Sequence, residues 1–257
     1  FSRKKDISPN DNIKDWIIYE DKNVLLINKP RGILVQKDDK GIEKSLDQMV
    51  IEYLIFKGEY NPNNEKAFTP GPAHRIDRNT SGIVIFGKNI KSLSYLFELF
   101  RDHTLIGKHY LTLVVGDIDK DGVIEVPLRK NPDTKKVVPA KIKDGAKEAK
   151  TIYHVVKRFG EYTLLDITLV TGRTHQIRVH MSYIRHHVVG DGKYGDFKVN
   201  NLFEREYGFS NQFLHASEVH FGDLHAPLEA IKRRSFQAPM PKEYEDLLEK
   251  LEEKNID

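Results

Sequence analysis

The chain has 257 residues, enough for one large domain or two closely packed lobes with a substantial core. Hydrophobic residues make up 39% and charged residues 31%, which excludes a disordered polymer, and no apolar run approaches the roughly 20 residues that cross a bilayer. There is no cysteine, so disulfides, a thiolate nucleophile and a cysteine-ligated zinc site are excluded.

The charge is distributed unevenly. The net charge is only +3, but residues 242–257 carry three lysines against seven acidic residues, so the rest of the chain is more basic than the total indicates. Residues 129–150 alone hold eight basic side chains against three acidic ones. A basic patch of this kind favours a polyanionic partner, although a solvated loop has the same composition.

The N-terminal part of the chain predicts a linker, two strands and a helix. Residues 1–15 are polar and charged and include Pro9, so we expect a linker there. The apolar runs 16–20 and 24–29 predict short strands. The helix is predicted by an apolar stripe at i, i+3, i+4, i+7 spacing, formed by Leu46, Met49, Val50, Tyr53 and Leu54.

The central part predicts three more strands and a second helix. Residues 83–86, 110–115 and 162–170 are runs of β-branched, leucine and aromatic side chains, which are typical of strands. Asn89 is placed to cap a helix that follows the first of these runs. The predicted buried stripe of this helix is Leu93, Leu96, Phe97 and Phe100.

The C-terminal part mixes helix and strand patterns. Apolar residues of 177–184 recur at helical spacing and leave His175 and Arg178 together on a different face. Residues 213–221 predict a further strand, and an apolar stripe in 244–251 predicts a terminal helix. Because strands and helices alternate irregularly, without a repeated βα unit, the pattern favours an α+β fold over a doubly wound sheet.

Two segments are unusually dense in polar and charged side chains. They are HRIDRNTSG at 74–82 and TGRTHQIRVH at 171–180, and each lies between apolar elements, where functional loops tend to lie. Asp77 has Arg75 and Arg78 on either side, and a nearby guanidinium favours the ionised form of a carboxyl group. An isolated aspartate between arginines is more often a turn residue with a surface ion pair. The second dense segment is what favours a nucleophile or metal ligand here.

Several other functional classes lack their sequence patterns. There is no Walker phosphate loop, no dinucleotide-binding glycine fingerprint and no serine nucleophile elbow. Ile76 interrupts what would be the His-Arg-Asp catalytic loop of a kinase. A zinc site remains an alternative, without any His-Glu-x-x-His pattern to support it, on His175, His180, His186 and His187.

These segments resemble the signatures of a known family. HRIDRNTSG at 74–82 resembles the His-Arg-Leu-Asp-x-x-Thr-Ser-Gly signature of the RluA group of pseudouridine synthases. The other matching segments lie along the chain in the family's order: NKPRG at 28–32, KHY at 108–110, TGRTHQIR at 171–178, Gly190-Asp191, Tyr194-Gly195-Asp196, and FLHA at 213–216. The resemblance covers roughly residues 16–241 and is strongest to the branch that acts on large-subunit ribosomal RNA.

The resemblance implies a fold, a domain organisation and a reaction. The implied fold is an α+β pseudouridine synthase fold, with a mixed, mostly antiparallel central sheet in two lobes, flanked by helices, and a catalytic cleft between the lobes. Residues 16–257 would form this catalytic domain, and we expect the S4 RNA-binding domain that usually precedes it to be absent from this chain. The implied reaction is the isomerisation of uridine to pseudouridine in RNA, without metal or cofactor.

The same resemblance assigns roles to individual residues. Asp77 is the expected nucleophile, Tyr110 stacks on the target base and takes a proton, and Arg178 pairs with Asp77. Because a stacked uridine cannot be reached, the base must be extruded, and Arg75 resembles the arginine that fills the vacated position. The other residues expected to contact RNA are Arg78, Thr80, Lys108, Arg173, His175 and Gln176, together with the basic segment 129–150.

The implied partner is RNA, with 23S ribosomal RNA as the expected substrate. We expect a cytoplasmic monomer with no membrane association and no nucleotide cofactor. Three alternatives stay open: a non-catalytic RNA-binding or ribosome-assembly protein that uses the same basic cleft, a pseudouridine synthase acting on tRNA, and a metal-dependent hydrolase. Turnover separates the first from an enzyme, because steep salt dependence of RNA binding is common to both.

Overall fold

The computed structural model describes residues 12–41 and 43–256. The helices are α1 (Asn12–Trp16), α2 (Leu46–Phe56), α3 (Ile90–Asp102), α4 (Gln176–Tyr183), α5 (Phe197–Tyr207) and α6 (Lys242–Ile256). The strands are β1 (Ile17–Glu20), β2 (Val24–Lys29), β3 (Gly71–Pro72), β4 (Ser81–Gly87), β5 (Ile106–Val115), β6 (Gly122–Glu125), β7 (Leu128–Lys130), β8 (Val137–Pro139), β9 (Lys150–Arg158), β10 (Tyr162–Leu169), β11 (Leu214–Phe221) and β12 (Ser235–Gln237).

Ten of these strands form one central sheet. Its main path runs β1-β2-β4-β11-β5-β10-β9-β6, with β3 added on β4 and β12 added on β11. Only the β4–β11 pair is parallel, and every other pair in the sheet is antiparallel. Strands β7 and β8 form a separate hairpin. The expected mixed, mostly antiparallel α+β architecture is therefore confirmed.

The parallel pair joins the two halves of the sheet through a very short contact. Strands β4 and β11 pair only at Ser81 with His215 and at Gly82 with Ala216. Gly82 has φ +115°, and a Cβ at this position would lie 2.1 Å from the carbonyl oxygen of Ala216. Only glycine tolerates both this conformation and this approach, so it permits the two halves to meet here. The segment 74–80 enters the sheet at this junction.

The predicted helices are present, with one change in the buried face. Helix α2 buries the five residues of its predicted stripe, and Asn89 caps α3 by accepting a hydrogen bond from the backbone N–H of Ser92 at 3.0 Å. In α3, however, Tyr95 and Leu99 are buried, whereas Phe97 is 45% exposed. Three of the four predicted stripe residues face the core, because Leu96 is buried and Leu93 and Phe100 pack against the same cluster, so only Phe97 was assigned to the wrong face.

The sequence patterns also missed or shifted several elements. Most of the predicted linker lies outside the described residues, but its end belongs to α1, and Ile13 is buried in the main core. The folded domain therefore starts before Trp16. Strand β9 and helix α5 were not predicted, because β9 fully buries only Thr151 and α5 fully buries only Phe203. Among the described residues, none of the helices has the length and apolar character needed to span a bilayer.

Candidate active site

A wide cleft opens above the junction of the two sheet halves. It has a volume of about 910 Å³, within the range of small-molecule sites and large enough for a nucleotide. One wall is the segment 74–80, the other is the segment 172–178, and β5 contributes to the floor. The two segments that the sequence identified as functionally dense therefore face one another across one cavity.

Asp77 and Arg178 form an ion pair in this cleft. Arg178 Nη1 donates to Asp77 Oδ2 at 2.8 Å. The other side of the same guanidinium binds Asp191, with Nε donating to Oδ2 at 2.7 Å and Nη2 donating to Oδ1 at 2.9 Å. The side chain of Asp191 is 1% exposed, whereas that of Asp77 is 28% exposed. Arg178 thus links a buried carboxylate to one that faces the cleft.

Charge and hydrogen bonding keep Asp191 and Arg178 ionised. Burial alone would raise the pKa of Asp191, but Arg178 and the backbone N–H groups of Tyr194 and Lys193 hold that pKa below its ordinary value. Burial opposes the charge of Arg178, yet the two carboxylates raise the pKa of the guanidinium further. Arg178 is therefore a permanent cation with a fixed orientation, and it aims the Asp77 carboxylate.

Buried hydrogen bonds hold the segment that carries Asp77. The backbone N–H of Thr80 donates to the carbonyl of Asp77 at 3.0 Å, and Gly32 N donates to the carbonyl of Arg78 at 2.8 Å. The fully buried Lys29 donates to the carbonyls of Arg78 and Pro30 at 3.0 and 2.9 Å. Burial lowers the pKa of Lys29 to about 7, while the charge of Asp77 acts in the opposite direction.

His175 approaches Asp77 from the other wall. It precedes α4 with φ 54°, a left-handed conformation that is uncommon outside glycine. Tyr194 Oη accepts from the backbone N–H of Val137 at 3.0 Å and lies 2.8 Å from His175 Nδ1, so its own proton points to that nitrogen. His175 Nε2 then carries the ring proton, 3.7 Å from Asp77 Oδ1. Burial lowers the pKa of His175, which keeps the imidazole neutral at pH 7.

Tyr110 supplies the aromatic surface of the cleft. It lies on β5, opposite Ile167 on one side and Ala216 on the other. Burial, with a smaller effect from the charge of Asp77, raises the pKa of Tyr110 above its ordinary value. The phenol is therefore neutral at physiological pH, and the largely buried residue lines the cleft.

Four of the residues expected to contact RNA line the cleft with cationic groups. Arg75 is exposed and has no hydrogen bond or ion pair within the described ranges. Arg78 pairs with Glu43 at 2.7 Å, and Arg173 Nε donates to the carbonyl of Glu148 at 2.8 Å. Lys108 lies deeper, on the floor. The two walls thus present positive charge around Asp77.

Gln176 and Thr80 line the cleft, but their side chains are buried. Gln176 is 2% exposed, and its amide is saturated by internal bonds: Nε2 donates to Lys150 O and Thr151 Oγ1, while Oε1 accepts from Thr171 Oγ1 and Arg173 N. Thr80 is also buried, with its hydroxyl shielded from solvent. Both residues still line the cleft, so their contact with RNA stays a prediction. Gln176 also fixes the start of α4.

The histidines considered for zinc are dispersed. His180 binds Thr151 Oγ1 and the carbonyl of Val126, His186 binds the carbonyl of Val115, and His187 binds the carbonyl of Tyr194. Within residues 12–41 and 43–256, no three His, Asp or Glu side chains are grouped so that they could hold a metal ion. Each ring instead stabilises a loop or a strand end.

The basic segment 129–150 lies beside the cleft. It contains the β7–β8 hairpin, and Lys130 of this hairpin lines the cavity. The hairpin is tied to the site by the Val137–Tyr194 bond and by Lys193 Nζ, which donates to the carbonyl of Lys135 at 3.1 Å. Its lysines are therefore placed as an extension of the wall that carries Arg178.

Three residues with clear structural roles had no role assigned from the sequence. Asp191 and Lys29 occur in segments matched to the family, but nothing in their spacing showed that they bind Arg178 and the Arg78 carbonyl. Tyr194 likewise gave no signal that it orients His175. Such pairings join residues from 13 to 57 positions apart, and only the fold brings them together.

Comparisons with known proteins agree with this geometry. The family model for RNA pseudouridylate synthase matches residues 23–183. Ribosomal large subunit pseudouridine synthase D of Borreliella burgdorferi is 40% identical over 72% of this chain, and the match spans 56% of that relative's length. Synthase C of Vibrio cholerae is 34% identical over 85% of this chain and 67% of its own length.

A solved structure extends the agreement to the fold. The human RNA pseudouridylate synthase domain containing 4 protein superposes with a TM-score of 0.75 over 94% of this chain and 95% of its own, at 22% sequence identity. At that identity the similarity concerns the fold alone. The family-model match, the curated relatives and the facing Asp77 and Arg178 segments together establish that this chain belongs to the RNA pseudouridylate synthase family.

Proposed function

We propose that this chain isomerises specific uridines of large-subunit ribosomal RNA to pseudouridine. The observation that carries the proposal is the Asp77 carboxylate, which is held at 2.8 Å by the permanently charged Arg178 and faces a cleft with Tyr110 on its floor. Relatives named large subunit pseudouridine synthases C and D support ribosomal RNA as the substrate.

The chemistry needs only the side chains of this cleft. An ionised carboxylate can form a covalent intermediate at an electrophilic carbon, either C1′ of the ribose or C6 of the uracil. The C1′–N1 bond breaks, the uracil turns, a C1′–C5 bond forms, and the proton on C5 leaves. The Asp77 carboxylate is regenerated at the end, so the reaction is an isomerisation without a redox step. In our proposal Tyr110 stacks on the base, and its neutral hydroxyl takes part in the proton transfer.

Access to the base requires extrusion of the nucleotide. Unstacking costs a few kcal/mol, which binding to the flanking RNA must offset. Arg75 is exposed beside Asp77 and has no internal partner among the described residues, so it is available to occupy the vacated position. Arg173 and the β7–β8 hairpin would bind phosphates around the site. We further propose that residues 12–256 act as one catalytic domain, as a monomer in the cytoplasm, where ribosomes are assembled.

The proposal is tested by mapping pseudouridines on unmodified large-subunit ribosomal RNA with carbodiimide adducts and primer extension. The wild type should create new stops, and Asp77→Asn should bind the RNA without creating any. Transfer RNA in a parallel reaction distinguishes the substrates. Stops on tRNA alone would overturn the ribosomal assignment, and RNA binding without stops on either RNA would favour a non-catalytic RNA-binding protein.

A further inference from the structure

Lys108 is a deeply buried cation without an acidic partner. It is 8% exposed and lies on β5 two residues before Tyr110, so both side chains point to the same face of the sheet. In the described part of the chain, the one hydrogen-bond partner of its Nζ is His103 Nδ1, at 3.3 Å. The ammonium lies over the Phe100 ring, whose centroid is 5.5 Å from Nζ. No other described lysine lining the cleft combines this burial with the absence of a carbonyl or carboxylate partner.

The charged groups around Lys108 are mainly positive. Burial has the largest effect in lowering the pKa of His103, Lys108 and Arg173 lower it further, and Asp102 has a smaller, opposite effect. Charged and titratable groups on the other elements are already engaged: Asp102 binds Thr104, Glu218 binds His220 and Gln237, His109 binds Asp166, and His74 accepts from the Ile85 backbone N–H. None of these carboxylates is within ion-pair distance of Lys108.

The ammonium remains accessible from the cleft. Lys108 lines both the main cavity and a narrow recess behind it. A Cβ at Gly172 would lie 3.4 Å from Lys108 Nζ, so the glycine leaves the ammonium uncovered on that side. Burial lowers the pKa of Lys108 from its ordinary value of about 10.5 to about 8, as expected of a desolvated cation without a counter-ion. An anion entering from the cleft would remove this penalty.

We propose that Lys108, together with His103 and Arg173, forms a buried anion site that takes a phosphate of the RNA backbone at the target nucleotide. Two residues of strand place Lys108 about 7 Å from Tyr110, a separation that one nucleotide can bridge between its base and a phosphate. The inference rests on the proposed function, because the anion is supplied by an RNA bound with its base at Tyr110. The site differs from the exposed arginines of the cleft mouth, because the desolvation cost of its buried ammonium is offset only when a phosphate binds.

A bound phosphate would couple RNA binding to proton uptake. At pH 9 most Lys108 side chains of the unliganded protein have lost their proton, whereas a phosphate-bound ammonium keeps it. If the pKa of Lys108 is higher by two units or more in the RNA-bound protein than in the free protein, RNA binding is about tenfold weaker at pH 9 than at pH 7. An arginine at the same position keeps its charge throughout this range, so Lys108→Arg removes the pH dependence while it retains the anion site.

The experiment measures binding of a transcribed, unmodified large-subunit ribosomal RNA in the Asp77→Asn background, where turnover does not interfere. We expect Lys108→Met to weaken binding about tenfold at pH 7 and Lys108→Arg to stay within about threefold of the parent, with a flat profile between pH 7 and 9. Lys22→Met is the matched control, since Lys22 is an exposed lysine outside the cleft, and it should bind as the parent does. Thermal melting of each variant verifies folding.

The outcomes separate this inference from the proposed function. RNA binding that is equal in the parent and in a folded Lys108→Met variant would overturn the anion site and leave the proposed function intact. A pH dependence that persists unchanged in Lys108→Arg would also overturn it. Failure of the parent itself to bind RNA would overturn both, because the site would then have no RNA phosphate to take.

Discussion

The floor and the mouth of the cleft carry similar charges in different settings. At the base of the cleft, called the floor below, Arg178 of one wall, Asp191 behind it and Lys108 of β5 are nearly removed from solvent. At the mouth, Arg75 is exposed, and the Arg78–Glu43 pair is 40% and 69% exposed. The buried charges interact in a low dielectric and are costly when unpaired, whereas the exposed charges are screened by water and salt. The floor should therefore determine the chemistry and a large share of the stability, and the mouth should mainly adjust RNA affinity.

The largest effect is expected from removing the buried cation that is fully paired. Arg178→Met leaves the Asp191 carboxylate buried without its partner, so we expect the free energy of unfolding to fall by about 3–5 kcal/mol and turnover to be lost. Urea denaturation measures the first effect. Adding Asp191→Asn to Arg178→Met should recover part of the stability but no activity. An Arg178→Met protein as stable as the wild type would contradict the claim that Arg178 stabilises the buried Asp191 carboxylate.

A smaller change, of opposite sign, is expected at the unpaired cation. The pKa of Lys108 is lower in the folded protein than in the unfolded chain, so the unfolded state binds more protons between pH 8 and 10.5, and stability rises with pH across that window. Lys108→Met should therefore stabilise the protein by about 1–3 kcal/mol at pH 7, and the gain should shrink towards pH 10.5. A loss of stability at pH 7 would indicate that Lys108 supports the fold instead of a ligand.

The smallest effect is expected at the mouth. Glu43→Gln removes the partner of Arg78, and exposed ion pairs contribute only about 0–1 kcal/mol, so the unfolding midpoint should barely move. RNA affinity should increase two- to threefold at low salt, since Arg78 is released to bind phosphate, and the gain should disappear at high salt. If Glu43→Gln lowered the free energy of unfolding by more than about 2 kcal/mol, the exposed pair at the mouth would contribute as much as a buried one, against this account.

Local patterns predicted the parts of the fold whose signals are local. The stripe of α2, the Asn89 cap and the strands around 24–29 and 162–170 depend on periodicity and capping within a few residues, and the structure contains them. Strand β9 and helix α5 were missed because each buries few side chains and so shows a weak local pattern. The last residues of the predicted linker were misassigned because the burial of Ile13 depends on α2 and β2, which follow later in the chain.

In the candidate site too, local motifs identified residues, but they did not show which contacts those residues make. Asp77, Tyr110 and Arg178 were identified from motifs, and the fold brings all three to one cleft. The burial of a side chain is harder to infer: Gln176 and Thr80 line the cleft, but both are buried, and their contacts with RNA remain predictions. The bonds of Asp191 to Arg178 and of Lys29 to the 74–80 segment could not be inferred from the sequence, because only the fold brings these residues together.

The most direct test of the account follows the hydrogen that isomerisation must release. When C5 of uracil becomes bonded to C1′, its hydrogen leaves, so large-subunit ribosomal RNA transcribed with uridine tritiated at C5 should release tritium to water in the presence of the protein. The wild type should release a fixed number of equivalents per RNA, and Asp77→Asn should be slower by at least about 10³-fold while binding the RNA equally well. Tritium release by Asp77→Asn at the wild-type rate would contradict the assignment of Asp77 as the nucleophile.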